Sequence, residues 1–320
     1  TLAFTQRVAQ RVGSARGTLL ASWVLGIFLF VDDYLNSLAV GSAMRNLTDT
    51  YRVSREKLAY VVDSTAAPIS VIIPFSTWGA FFAGLLVANG VAEEGQGLDV
   101  YIGAIPYMLY AWVAVLLVPV VIWGKVPALG PMKTAERRAK ETGVTVPPEA
   151  HHIEQANQAI QPKETLTPSL SMFVAPMLAL VFFTLWFDKD FLKGIYVTLA
   201  GTVVVILGTR MLDVHDTFDT VIDGFKTMIE PLGVLVAAFI LNDVNTQLGL
   251  SDYVVATMQP LLTAELLPAI IFSTMGLVSF MKGSNWGVFV IILTIVTTLA
   301  KNLGADMGVV IGATLSGSTV

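Results

Sequence analysis

The chain has 320 residues, 54% apolar and only 13% charged, with a mean hydropathy of +0.70. Soluble domains carry about 25% charged residues, so half that value over this length points to lipid as the main solvent and excludes an ordinary globular core. The net charge of −5 excludes the basic face that a nucleic-acid partner needs, and the absence of cysteine excludes disulfides and thiolate metal sites. The chain opens on Thr1-Leu2-Ala3-Phe4 rather than Met and stops inside an apolar run at Ser318-Thr319-Val320, which reads as a piece of a longer protein with spans missing at both ends.

A membrane-crossing helix needs about 20 mostly apolar residues. Residues 17–44 come first, with Arg7, Arg11 and Arg16 before them and Arg45 after, so both flanks read as cytoplasmic. One straight helix of that length would extend about 42 Å, beyond a hydrocarbon core of about 30 Å. Two half-helices would each reach about 21 Å. Either way, Val31-Asp32-Asp33-Tyr34 lands at membrane depth.

The loop 45–57 carries Arg45, Arg52, Arg55 and Lys57 and reads as cytoplasmic, whereas 91–100 has no Lys or Arg and reads as external. Between them, residues 63–90 are apolar but interrupted by Pro68 and Pro74. Residues 101–124 form a plain span. Residues 125–168 hold Lys125, Lys133, Arg137, Arg138, Lys140, Lys163 and Pro147-Pro148, and are expected to be a mobile cytoplasmic linker. The plain spans 169–187 and 191–209 follow, joined by an outer turn at Asp188-Lys189-Asp190. Residues 213–230 alternate acids with apolar residues at helical spacing, which predicts an interfacial amphipathic helix. The last apolar segments, 233–247, 266–300 and 305–320, are each interrupted by small or polar residues.

The chain also resembles itself. Ser76-Thr77-Trp78-Gly79-Ala80-Phe81 matches Ser284-Asn285-Trp286-Gly287-Val288-Phe289 at an offset of 208, and Phe30-Val31-Asp32-Asp33 matches Ile240-Leu241-Asn242-Asp243 at an offset of 210. Paired repeats with broken helices at matching places are the sequence signature of a secondary transporter. The expected architecture is therefore an all-α polytopic transmembrane transporter with two structural repeats and broken or re-entrant helices. Residues 1–124 form the first repeat, 125–168 the linker and 169–320 a second repeat truncated at its C-terminus.

A carboxylate in the bilayer costs about 2.5–3.5 kcal/mol on insertion scales, so each one is a functional candidate. Asp32 and Asp33 lead, with Asn36 and Ser37 adding neutral oxygens; capping of a helix is the bland alternative. Asp63, Ser64 and Thr65 precede Pro68 and suit a broken helix whose hydroxyls and carbonyls hold an ion. Asn242 and Asp243 inherit the rationale of their repeat partners, and Ser284 and Asn285 flank a break marked by Gly283 and Gly287. Sodium, a hard cation, favours such an oxygen-only set. A carboxylate that holds either a proton or a sodium ion, but not both, suffices for antiport. Lys282 is expected to snorkel outward. His151, His152 and His215 lie in polar or amphipathic stretches and point to no resident metal site.

The stretch 30–68, and above all Ser54 to Pro68 (SREKLAYVVDSTAAP), resembles the signature region of the NhaC-type sodium/proton antiporters. SNWGVFVIILT at 284–294 and AFILNDVNTQLGLSDYVV at 238–255 are similar to further segments of that family. The resemblance covers nearly the whole chain outside 125–168. It implies a multi-pass protein of the bacterial inner membrane that exchanges Na+ for H+ by alternating access. No cofactor is expected beyond the transported ions. The expected partners are membrane lipid and those ions, without nucleic acid, and a homo-oligomer is left open. The rival reading is a cation-coupled exchanger of an organic acid or amino acid, with Lys282 facing a substrate carboxylate. An intramembrane aspartyl protease is disfavoured, because its second site needs Gly directly before the aspartate and Ala305 precedes Asp306.

Overall fold

The computed structural model describes residues 12–147, 170–227, 229–258, 262–282 and 286–320. These residues form fifteen α-helices and one 3-10 turn, with no strand among them, as the expected all-α class requires. In chain order the helices are α1 (Ala15–Phe28), α2 (Asp33–Thr50), α3 (Arg55–Ile72), α4 (Thr77–Ala88), α5 (Gly97–Ala104), α6 (Leu109–Ile122), α7 (Gly130–Thr142) and α8 (Leu170–Trp186). They continue as α9 (Phe191–Gly208), α10 (Val214–Thr227), α11 (Ile229–Gln247), α12 (Leu250–Met258), α13 (Leu267–Lys282), α14 (Trp286–Leu303) and α15 (Met307–Ser318). Among the described residues, helices α9 and α14 are each long and apolar enough to cross a bilayer, and counting bent pairs as single spans gives up to five candidates by length and composition.

Helix starts follow from capping chemistry. Ser14, Ser54, Asp190 and Asp306 each accept a hydrogen bond from a backbone N–H three residues on, at 3.0–3.3 Å, satisfying donors that a helix leaves open at its N-terminus.

The chain divides into two compact units: Thr1–Ser76 with Trp112–Val181, and Thr77–Ala111 with Phe182–Val320. In the first, α1, α2 and α3 pack as a trio around Leu25, Leu29, Val40, Met44, Leu58 and Val62. The Tyr51 hydroxyl, just past the end of α2, donates to the Val12 carbonyl at 2.7 Å, ahead of α1. The segment 17–44 thus enters and leaves at one end, in keeping with the like charge of its flanks. A second cluster of Leu19, Val53, Val61, Val118 and Ile122 fastens α6 alongside, and the Trp23 indole donates to the Val115 carbonyl at 3.0 Å.

Part of the stretch expected to be a mobile linker is ordered. Helix α7 lies on α3 through buried Ala135 and Ala139, a Lys57–Glu136 ion pair at 3.0 Å and an Arg138–Glu56 pair at 2.9 Å. Two alanines four residues apart carry too little apolar signal to stand out among the eight charged or polar residues of α7, which is why the sequence pattern misses this face. Residues 148–168 of that stretch lie outside the described residues.

In the second unit the two copies of the tryptophan motif meet. Trp78 lies 4.9 Å from Trp286, Trp78 lies 5.6 Å from Phe289, and Phe81 lies 4.9 Å from Trp286. The last two contacts are reciprocal, because Phe81 and Phe289 hold the same place in the motif. Residue i touching j′ while j touches i′ is the pattern a two-fold axis generates. Phe82 and Tyr101 extend the cluster. Helix α15 is buried from Val310 to Ser318 and packs closest on α13. A side chain on Gly317 would meet the Phe272 carbonyl at 2.5 Å. Helix α10 carries Val214, Phe218, Ile222 and Phe225 exposed at helical spacing, the amphipathic element expected at 213–230.

Gly317→Val should lower the stability of the full-length protein by about 1–3 kcal/mol, read as a fall in its unfolding midpoint in detergent. Gly41→Ala, where an added methyl meets nothing within 4 Å, should leave the midpoint within about 0.5 kcal/mol of the original.

Candidate functional site

The break between α1 and α2 organises the site. Helix α1 ends where the Leu29 N–H closes onto the carbonyls of Leu25 and Gly26 at 3.1 and 3.2 Å. Three residues after Leu29, Asp32, in extended conformation, restarts the chain as the N-cap of α2, accepting from the Leu35 N–H at 2.9 Å. Asp33 occupies the first turn of α2, where the partial positive charge of the helix N-terminus favours a carboxylate. Both aspartates are half-buried. At 1.5 Å per residue, the arms α1 and α2 place this break about 21–27 Å from the base of the hairpin.

One turn further into α2, Asn36 is fully buried. Its Nδ2 donates to the Gly26 carbonyl at 2.7 Å. That bond fixes the orientation of the amide, since a carbonyl cannot pair with Oδ1. The Oδ1 atom is buried and accepts no hydrogen bond from the described residues. Thr65 of α3, 1% exposed, approaches the same Gly26 through its methyl, while its hydroxyl donates to the Val61 carbonyl at 2.6 Å. Gly26 is what allows the approach: a Cβ there would lie 2.8 Å from Thr65 Cγ2 and 3.5 Å from Asn36 Oδ1. Thr18, Ser22 and Gly26 form a buried, four-residue-spaced stripe along α1, the small-residue pattern that lets helices close up in lipid. That spacing is legible in the sequence, and attention to it would have singled out Gly26.

The other candidates sit elsewhere. Asp63 is two residues from Thr65, hence about 200° around α3, and is exposed. Ser64 is half-buried, about 100° around α3 from Thr65. Ser37 is exposed on α2. Asn242 and Asp243 lie inside the continuous helix α11, where the Asn242 carbonyl accepts from Thr246 at 2.8 Å and the exposed Asp243 accepts from Gln247 at 2.9 Å. Here the chain leaves the helix only at Gly249, whose φ of +70° costs glycine little. Ser284 and Asn285 lie outside the described residues. Sequence reasoning passed over Ser70, fully buried near the end of α3, whose carbonyl accepts from the Ser76 hydroxyl at 2.5 Å.

Asn36 and Thr65 bring two neutral side-chain oxygens into the buried interior, with two half-buried carboxylates one turn earlier on α2, and such an oxygen-only set suits a small hard cation. A profile of the Na+/H+ antiporter family matches residues 93–320. The chain belongs to the Na+/H+ antiporter family. This is a family of transporters, and together with the apolar helices it makes the chain part of a multi-pass membrane protein, as the resemblance at 30–68 and 284–294 implies. The matched region begins after α1–α4. An uncharacterized protein of Haemophilus influenzae (strain ATCC 51907 / DSM 11121 / KW20 / Rd) is 28% identical over 322 residues, covering 95% of this chain and 62% of the relative. The chain thus spans less than two thirds of that protein's length. No solved structure matches.

Gly26→Ala should destabilise this family member by about 1–3 kcal/mol through overpacking. Adding Thr65→Ser, which removes the Cγ2 that the new methyl would strike, should recover most of the loss. Thermal unfolding of the two variants and of Thr65→Ser alone gives the coupling directly.

Proposed function

We propose that the chain is the ion-handling part of a secondary transporter that exchanges Na+ for H+ across the bacterial inner membrane by alternating access. The observation that carries this reading is the Asn36 carbonyl oxygen, buried at the α1–α2 break and without a hydrogen-bond donor among the described residues. An unsatisfied buried acceptor costs about 1–3 kcal/mol, and a bound cation removes that cost. Asn36 Oδ1 and the Thr65 hydroxyl supply neutral oxygens to sodium, and Asp32 and Asp33 supply the charge that attracts it. When a proton takes the place of the cation on the aspartates, the same groups serve the return step. Asp32 then has a double duty, since protonation weakens the cap it makes on α2 and so links ion occupancy to the geometry of the break. Voltage adds about 2.3 kcal/mol per charge per 100 mV to any exchange of unequal charges.

Proteoliposomes holding the full-length protein test the reading through internal pH after a sodium pulse. The expected result is sodium-driven proton movement that disappears in Asp33→Asn. In Asn36→Ala the half-saturating sodium concentration should rise about tenfold, the equivalent of one lost ligand at about 1.4 kcal/mol. Competition for one site also requires half-saturating sodium to climb by up to about tenfold for each unit of pH lowered, wherever the aspartates take up protons. A protein that ignores sodium but moves protons when organic acids are supplied would be a solute exchanger instead. An Asn36→Ala variant with unchanged sodium dependence would remove that residue from the site.

A further inference from the structure

Three basic segments converge at the base of the hairpin, at the end of the first unit opposite the break. They are the start of α1, the turn between α2 and α3, and the stretch from the end of α6 through α7. Between them lies a cavity of about 280 Å³ whose lining, among the described residues, includes Arg16, Arg52, Lys57 and Lys140 but a single carboxylate, Glu136. Glu136 is shared, 3.0 Å from the Lys57 ammonium and 3.9 Å from that of Lys140. Arg52 donates to the Lys140 carbonyl at 3.3 Å, which uses a donor without neutralising its charge. The Arg16 guanidinium stands over Gly124, 3.8 Å from where a Cβ would be. On the adjoining helices, Glu56 is engaged by Arg138 and Asp49 by Arg55. Among the described residues, four cations against one carboxylate leave the lining with three positive charges.

The remaining walls are apolar. Leu19, Val53, Val121 and Ile122 line the inner side, at the ends of helices that run into the apolar trio. Trp123 and Leu129, 51% and 74% exposed, stand beside the mouth, and an exposed tryptophan at the end of an apolar helix marks the headgroup level of a bilayer. A free inorganic anion has no use for apolar walls. A phospholipid does, since its phosphate is followed at once by glycerol and acyl chains. Basic pockets between membrane helices on the cytoplasmic side are suited to anionic headgroups.

We propose that this cavity binds the phosphodiester headgroup of an anionic phospholipid from the cytoplasmic leaflet, held by Arg16, Arg52 and Lys140. The lipid bridges α1, the α2–α3 turn and α7, and so clamps the base of the hairpin whose tip carries the break. This site is separate from the ion site and stands whether or not sodium is the transported ion.

The test uses full-length protein stripped of lipid in neutral detergent, with its unfolding midpoint followed during titration with phosphatidylglycerol, phosphatidylcholine or inorganic phosphate. Phosphatidylglycerol should raise the midpoint at concentrations where phosphatidylcholine does not. Arg16→Gln with Arg52→Gln should weaken that response by about fivefold for each charge removed, while Arg16→Lys with Arg52→Lys should largely keep it. Lys226→Gln, on α10 in the other unit, should change nothing. Should the double glutamine variant fail to fold, Lys140→Gln, whose side chain is 71% exposed, carries the same expectation of a fivefold loss. Equal responses to the two lipids, or a glutamine variant that responds as the original does, would overturn the site. A midpoint raised as far by millimolar phosphate as by phosphatidylglycerol would make it a free-anion site and overturn the lipid assignment.

Discussion

Peptide groups at membrane depth find no water to bond, so a helix that breaks there has to be closed by the protein itself. The α1–α2 break meets this demand with its own residues. The Leu29 N–H turns back onto α1, the Asp32 carboxylate takes the Leu35 N–H at 2.9 Å, and the Asn36 amide takes the Gly26 carbonyl at 2.7 Å. Closing the gap this way consumes one end of the Asn36 amide and leaves the other facing inward. The acceptor that makes the site chemically interesting is therefore a consequence of how the break is sealed.

That closure depends on contact distances which only small residues permit. Gly26 brings the α1 backbone against Thr65, and the Thr18–Ser22–Gly26 stripe keeps α1 close to its neighbours over two turns. With no hydrophobic driving force between helices in lipid, such close packing and the hydrogen bonds it shelters are what hold a bundle together. At the other end of the hairpin the lining is charged instead. There the Lys57–Glu136 and Arg138–Glu56 pairs fasten α7. The first unit is thus closely packed at the break and cationic at its base.

The second unit is built on a different contact, the aromatic cluster where the two tryptophan motifs meet. The reciprocal pairs Trp78–Phe289 and Phe81–Trp286 give the internal repeat a physical meaning: segments 208 residues apart in sequence are partners across a local two-fold relation. The second repeat signal behaves differently. Asp32-Asp33 starts a helix, whereas Asn242-Asp243 lies inside one, and the bend waits for Gly249. Related sequence therefore does not oblige the two halves to break at the same residue.

The sequence by itself determined the solvent, the helical class and the family resemblance. Hydropathy and charge act residue by residue, and a run of apolar residues between basic loops has few ways to satisfy its backbone in lipid. It also determined where the first long segment must break, because length, flanking charge and the paired aspartates all converge on 29–33. What it left open was which oxygens share a space. Asp63, Ser64 and Thr65 look equivalent as a string, yet successive residues point about 100° apart on a helix, and only the packing of α3 against α1 selects Thr65 for the interior. The Asn36 amide shows the same division. Its presence near the break is written in the sequence, but its free oxygen exists only because Gly26, ten residues earlier, is folded back to within hydrogen-bonding distance.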